Sequence, residues 1–306
     1  MRSHYHTAIN PDDDNNSHAL MLRMVGFNKR VLEAGCASGH VSEMLMAQGC
    51  TVVGIENDAS VVEPAMQWLE RVIVRDLDDD GFWDELNGDS FDAILFGDVL
   101  EHLKNPLAAL TNSVKHLRPA GIVVVSVPNI AHADVKIALM KGAFPYTESG
   151  LLDRTHIYFF TKDSLIDLVR KAGLVVTEVS RVIVPVFGTE IGMQRSDVGD
   201  EVLEAVLHDR ESETYQFVIK AVRDDGTRAL EKLSTDLVEL VDKHRDEVKR
   251  NEALEARVEE LRTMLAALET QRAVDVQDLA RLRHQTAMVK RFIPMPIRNL
   301  LRKRVQ

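Results

Sequence analysis

From residue 30 to residue 222 the chain alternates short apolar runs with amphipathic stretches. The apolar runs predict strands at Arg30–Ala34, Thr51–Glu56, Arg71–Arg75, Phe91–Gly97, Gly121–Val127, Val175–Val184 and Tyr215–Val222. Helical periods separate the earlier runs, which is the βαβ rhythm of a parallel sheet covered on both faces. The last two runs lack that crossover rhythm and are expected to pair as an antiparallel edge. The stretch 161–174 is the best-marked helix. Thr161 is its cap, Leu165, Leu168 and Val169 form its apolar stripe, and Gly173 stops it.

After Arg223 the pattern changes. Residues 229 to 289 contain no Gly and no Pro, and Leu230, Leu233, Leu237, Leu240, Val248, Leu254, Val258, Leu261, Leu265 and Leu268 recur at steps of mostly three and four. Val276, Leu279 and Leu282 continue after a slip near Arg272, and His244, Asn251 and Arg272 interrupt the seam. A stripe this long must be covered, so a coiled coil and a homo-oligomer are expected over 223–289, with a single solvated helix as the alternative. Residues 290–306 carry six basic residues, no acid and an apolar side. They suit a membrane surface or an acidic glycan-assembly partner, or they form a frayed basic tail. At the other end, residues 1–28 are expected to form a lid and cap helix. Asn16 or Ser17 starts that helix, His18 points toward the ligand, and His4, Tyr5 and His6 belong to the lid.

Composition narrows the classes. The net charge is −11 over 306 residues, which argues against a nucleic-acid binder. Two cysteines, Cys36 and Cys50, make no disulfide framework. No apolar run reaches the length of about 18 residues that a spanning helix needs. A cytoplasmic protein is expected, in one reading peripheral at the inner membrane face.

The candidate chemistry starts at "RVLEAGCASGHVSEML", residues 30–45. A strand enters a turn of small residues and a helix follows, so backbone approaches a ligand there. A dinucleotide turn prefers glycine at 35, 37 and 40, but Ala37 and His40 stand at the last two. This disfavours a nicotinamide-dependent oxidoreductase. Glu33 would repel a pyrophosphate and suits a ligand carrying an amino group. Glu56 ends the second strand 21 residues after Gly35, where a carboxylate can accept from two ribose hydroxyls. Asp76 ends the third strand and Asp98 the fourth. Four acids at one sheet edge describe a cleft for a cationic, amino-bearing nucleoside.

In order and spacing, "VLEAGCASG", "VVGIE", "RD", "FDAILFGDVLEHL" and "GIVVVSVPN" resemble the motifs of class I S-adenosylmethionine-dependent methyltransferases. The resemblance implies a Rossmann-like α/β fold over 29–222 with a mostly parallel seven-stranded sheet and a reversed last hairpin, here followed by the long C-terminal coiled-coil helix. It also implies that Glu33 and the Gly35, Cys36 and Gly39 turn hold the methionine part. Glu56 and Asn57 would then hold the ribose, Asp76 and Leu77 the adenine, and Asp98 would lie beside the methionine end. Glu33 stands where Asp is frequent and Ala37 where Gly is frequent.

The segment 128–161 should set the acceptor. Its "LLDRTHIYFFT" resembles a branch of these enzymes associated with bacterial polysaccharide and glycolipid O-methylation. A sugar hydroxyl must lose its proton as it attacks, so a base or a metal is needed. His156 is the first candidate base with Asp153 as its orienter, and His132 is the second. Asn129, Tyr146 and Arg154 are candidate substrate contacts. A divalent ion such as Mg²⁺ could sit among Asp98, Glu101, His102 and Asp153. The expected activity is O-methylation of a saccharide or glycolipid, against a small metabolite or carboxyl acceptor, or a non-catalytic scaffold.

Overall fold

The computed structural model describes residues 12–224 and 228–292. The expected lid residues 1–11 and most of the basic tail therefore lie outside the described residues. Seven strands form one sheet in the order β3-β2-β1-β4-β5-β7-β6. They are β1 (Arg30–Ala34), β2 (Thr51–Glu56), β3 (Arg71–Val74), β4 (Phe91–Gly97), β5 (Leu117–Pro128), β6 (Leu174–Ile183) and β7 (Thr214–Arg223). The first five run parallel, and β7 inserts antiparallel between β5 and β6. The expected antiparallel edge is therefore present.

Strand bounds differ from expectation mainly at β5, which starts four residues early. Leu117 pairs with Phe91, and a register irregularity between Phe91 and Ala93 takes up the offset. Pro119 and Gly121 sit at that irregular end, where proline is tolerated.

Alternate strand residues feed two cores. Leu32, Ile94, Phe96, Val123 and Val125 belong to one, and Val31, Ala93, Leu95 and Val124 to the other. This follows from the period-2 geometry of strands and explains why the runs are apolar on both sides. Helix α1 (Ser17–Val25) is capped by Asn16, whose side-chain oxygen accepts from the Ala19 N–H at 3.1 Å. Its Met21, Leu22 and Val25 share the second core with Leu45 of α2 (His40–Ala47).

Helix α3 (Pro106–Lys115) and helix α5 (Lys162–Lys171) face the first core, and Thr161 caps α5 as its sequence predicts. Helix α4 (Ala133–Met140) and Leu151, Leu152 and Ile191 make a third, smaller core for the acceptor segment. Helix α6 spans Asp200–Leu207, and α7 runs unbroken from Arg228 to Phe292.

Two compact units divide the chain, Met1–Glu239 and Leu240–Gln306. The start of α7 therefore groups with the sheet rather than with the rest of its helix, because Val238 packs against the first core. Among the described residues no helix is long and apolar enough to cross a membrane.

Candidate functional site

The parallel strands end together, and the order reverses between β1 and β4, so a crevice opens beyond their carboxyl ends. The turn after β1 follows the second strand closely: the N–H groups of Gly35 and Cys36 both donate to the carbonyl of Ile55, at 2.8 and 3.0 Å. Gly35 takes φ 70° and Gly39 φ 84°. A Cβ on Gly39 would lie 2.7 Å from the Ala65 Cα, so glycine is required by space as well as by φ. Ala37 also sits at positive φ, 43°, a strain that its successor turn holds in place.

A cavity lies over this turn, walled by His18, Met21, Glu33, Gly35, His40, Gly97 and Asp98 among others. Its lining contains two carboxyl groups, two histidines and no lysine or arginine. That lining suits a cationic, amino-bearing ligand and fits S-adenosylmethionine. Glu33 is buried and accepts from the Ser42 hydroxyl. Burial pushes its carboxyl up to about 8, against the lowering effect of Ser42. Asp98 faces the crevice at φ 56° and accepts from Ser126 Oγ at 3.0 Å and from the Gln216 amide. The surrounding protein raises it to about 6 against those two hydrogen bonds.

Glu33 makes stability depend on pH. The folded carboxyl keeps its proton to pH about 8, whereas in the unfolded chain it is lost near the usual value of about 4.3. Between those values the unfolded state binds fewer protons, so stability falls as pH rises. Urea unfolding midpoints should drop more steeply from pH 5 to 8 in the parent than in Glu33→Gln. Parallel profiles would return Glu33 to the ordinary range.

The remaining predicted donor-side residues lie beyond this cavity's wall. Glu56 accepts from the Ala37 N–H at 2.9 Å through one oxygen and from the Asp58 N–H at 3.0 Å through the other, so it shapes the turn as well as facing solvent. Asn57 is exposed beside it. Asp76 is exposed and accepts from the Asp78 N–H at 2.9 Å. Leu77 is a core residue, packed with Phe82 and Trp83, so its side chain is a structural anchor rather than an open contact surface.

On the acceptor side several assignments change. His132 is fully buried and caps α4: its Nδ1 accepts from the Asp134 N–H at 3.2 Å, and its Nε2 lies 2.9 Å from the Val184 carbonyl. Both ring nitrogens are thus occupied, and it cannot serve as the base. Asn129 is also fully buried, donating to the carbonyls of Glu211 and Thr214 and accepting from Ala131, so it holds loops together rather than substrate. Tyr146 is exposed, and Arg154 is exposed and paired with Glu148 at 2.5 Å.

Asp153 does not orient His156. Burial pushes its carboxyl up, but the Thr155 hydroxyl and N–H, with His156 and His102 nearby, hold it below the usual range. His156 is instead hydrogen-bonded to the Leu151 backbone, and its ring stands edge-on to His102 with centroids 4.8 Å apart.

Glu101, one of the candidate ion-binding residues in the sequence, completes the group. It is 1% exposed, and neither of its carboxylate oxygens has a hydrogen-bond partner in the structure. Burial, then Asp98, pushes it well above the usual carboxylate range. Its carbonyl accepts from the N–H groups of Ile157 and Tyr158 at 2.7 and 2.9 Å, which pins the acceptor segment to the end of β4. Ligand-capable atoms of Glu101, His102 and His156 lie within 4.8 Å of one another. The sequence places Asp98 and Asp153 beside a divalent ion, but among the described residues the trio takes His156 in their place. A donor set of two imidazoles and one carboxylate matches a transition metal better than Mg²⁺. Burial and then His102 hold the His156 imidazolium below the usual histidine range, leaving a neutral ring at neutral pH.

The family described as methyltransferase domain matches residues 15–179. A ubiquinone biosynthesis O-methyltransferase of Cereibacter sphaeroides is 34% identical over 151 residues, covering 47% of this chain and 60% of that protein. Its namesake in Rickettsia conorii is 25% identical over 154 residues, covering 47% and 53%. The chain thus spans no more than about 60% of the length of these two relatives. A SAM-dependent methyltransferase structure from Archaeoglobus fulgidus aligns with a TM-score of 0.49 at 15% identity, covering 65% of this chain and 88% of that one. With its glycine turn, its seven-stranded sheet and a match over more than half its length, the chain belongs to the S-adenosylmethionine-dependent methyltransferase-domain family.

Proposed function

We propose that the protein is an O-methyltransferase that methylates a sugar hydroxyl of a saccharide or glycolipid intermediate. The observation that carries the transfer site is the unpartnered, buried Glu101 beside His102 and His156, next to a crevice that Asp98 lines. When bound, S-adenosylmethionine supplies a methyl group on a sulfonium centre. Glu33 and the Gly35–Gly39 turn hold its methionine end, Glu56 and Asn57 its ribose, and Asp76 its adenine. His156 takes the proton of the attacking hydroxyl, and Glu101 and His102 set the field around it. Phe144, Tyr146 and Phe159 stack in ring-to-edge steps toward His156, and Tyr146, Ile157 and Tyr158 are exposed. This surface suits an acceptor with an apolar portion.

The relatives' name favours a second reading, the phenolic hydroxyl of a quinone precursor. Release of S-adenosylhomocysteine in the presence of glycolipid acceptors or of prenylated catechols separates the two. Turnover with the catechols alone would replace the sugar assignment. Loss of turnover on chelation, restored by Zn²⁺ or Mn²⁺, would make the trio a metal site rather than a base.

The ribose assignment has its own test. Glu56→Ala should weaken S-adenosylmethionine binding by about 1–3 kcal/mol in calorimetric titration, because a charged acceptor is lost. Unchanged binding would remove Glu56 from the ribose contact. For α7 we propose a homo-oligomer through a coiled coil, and for residues 290–306 an association with a membrane surface or glycan-assembly partner.

A further inference from the structure

The seam of α7 determines which way its partner runs. Leu240, Leu254, Leu261, Leu265, Leu268 and Leu282 are all exposed on this helix. With a positions at 237, 244, 251, 258, 265, 272 and 279, and d three residues after each, the heptads continue without a shift. The slip expected near Arg272 is not a change of register. It is two charged seam positions, Arg272 at a and Asp275 at d.

The polar seam positions discriminate between directions. In a parallel in-register pair, a meets a and d meets d. Glu247 would then face Glu247, Arg272 would face Arg272, and Asp275 would face Asp275. Like charges brought together away from water repel. In an antiparallel pair a meets d. Laying Val258 across from the partner's Leu261 centres the crossing on the middle of α7 and overlaps the helices from 230 to 289. In that register Arg272 lies across from the partner's Glu247, and His244 across from the Asp275 position. The leucines also match, with Leu237 across from Leu282, Leu240 from Leu279 and Leu254 from Leu265.

The flanking positions allow this register, with Lys243 beside Asp278, Glu255 beside Arg262 and Val241 beside Val276. The parallel pair sets Arg257 against Arg262 but also joins Arg250 to Glu255 and Asp278 to Arg283, so the charged seam positions decide the direction. Asn251 against Leu268 is the cost of this register.

We propose that α7 pairs with a second copy of this chain as an antiparallel two-stranded coiled coil, in the register that joins Glu247 to Arg272. The inference rests on the coiled-coil reading of α7.

Single and paired cysteines in the full-length protein test the direction, since the native Cys36 and Cys50 are buried. Leu240→Cys alone and Leu279→Cys alone should form no disulfide-linked dimer under mild oxidation, whereas the double variant should. Disulfide-linked dimers from either single variant would overturn the antiparallel direction. In sedimentation equilibrium, Glu247→Arg and Arg272→Glu should each weaken the dimer about tenfold, and the double variant should recover most of that loss. Failure of the double variant to recover would overturn the register. A parent protein that stays monomeric at all concentrations would overturn the coiled coil itself, and a trimer would overturn the strand number.

Discussion

Replacing His156 with alanine should lower methyl transfer by about 100-fold or more while leaving S-adenosylmethionine binding unchanged. The expectation follows from the ring's surroundings. Burial and His102 disfavour the imidazolium, so the ring is ready to accept a proton at neutral pH. A base acts only when unprotonated, so the acid limb of the pH–rate profile should fall below about 6.5, the ordinary histidine value. Single-turnover measurement with the productive acceptor reads the chemical step, and calorimetry on the same variant reads donor binding. Full activity would remove His156 as base. Lost donor binding would show instead that the ring supports the cavity.

The second large effect is expected at the turn. Gly39→Ala should destabilise the protein by about 2–4 kcal/mol and abolish detectable S-adenosylmethionine binding. Its φ of 84° is unfavourable for alanine, and its new Cβ would press on Ala65 at the Cα and Cβ, 2.7 and 2.8 Å away. Backbone strain and overpacking each cost about 1–3 kcal/mol. Backbone, rather than a flexible side-chain end, stands in the way, so relief requires the turn to move away from Ala65. Glu56 loses its alignment with the Ala37 N–H when it does. Urea unfolding and calorimetric titration of the same preparation separate the two consequences. A variant with parental stability and binding would show that the turn tolerates the shift.

Much of this architecture is legible in one dimension. The strands β1, β2 and β4 lie where their apolar runs place them, because strands covered on both faces are marked by unbroken apolar sequence. Thr161 and Asn16 announce their helices because capping is a local bond between a side chain and a backbone group a few residues on. Glycines 35 and 39 announce the turn because positive φ is a property of single residues.

The acceptor side was misread where local sequence carries no record of distant partners. His132 and His156 look alike as histidines in an apolar segment. One is filled by Asp134 and Val184 and is structural, while the other meets His102 across 54 positions of chain. Asp153 sits three residues from His156, yet its carboxylate turns to Thr155. Glu101 stands in the sequence as one of four candidate ion neighbours, and its burial becomes visible only where the backbone of Ile157 and Tyr158 bonds to its carbonyl. Ser42, Ser126 and Gln216, which hold Glu33 and Asp98, carry no motif at all.

Sequence by itself determined the strands, the turn and the apolar stripe of α7, since each depends on periodicity or on the conformation of one residue. Tertiary structure alone decided which polar groups are buried and what they face. That depends on which segments meet, and burial sets both the hydrogen bonds left to make and the cost of charge.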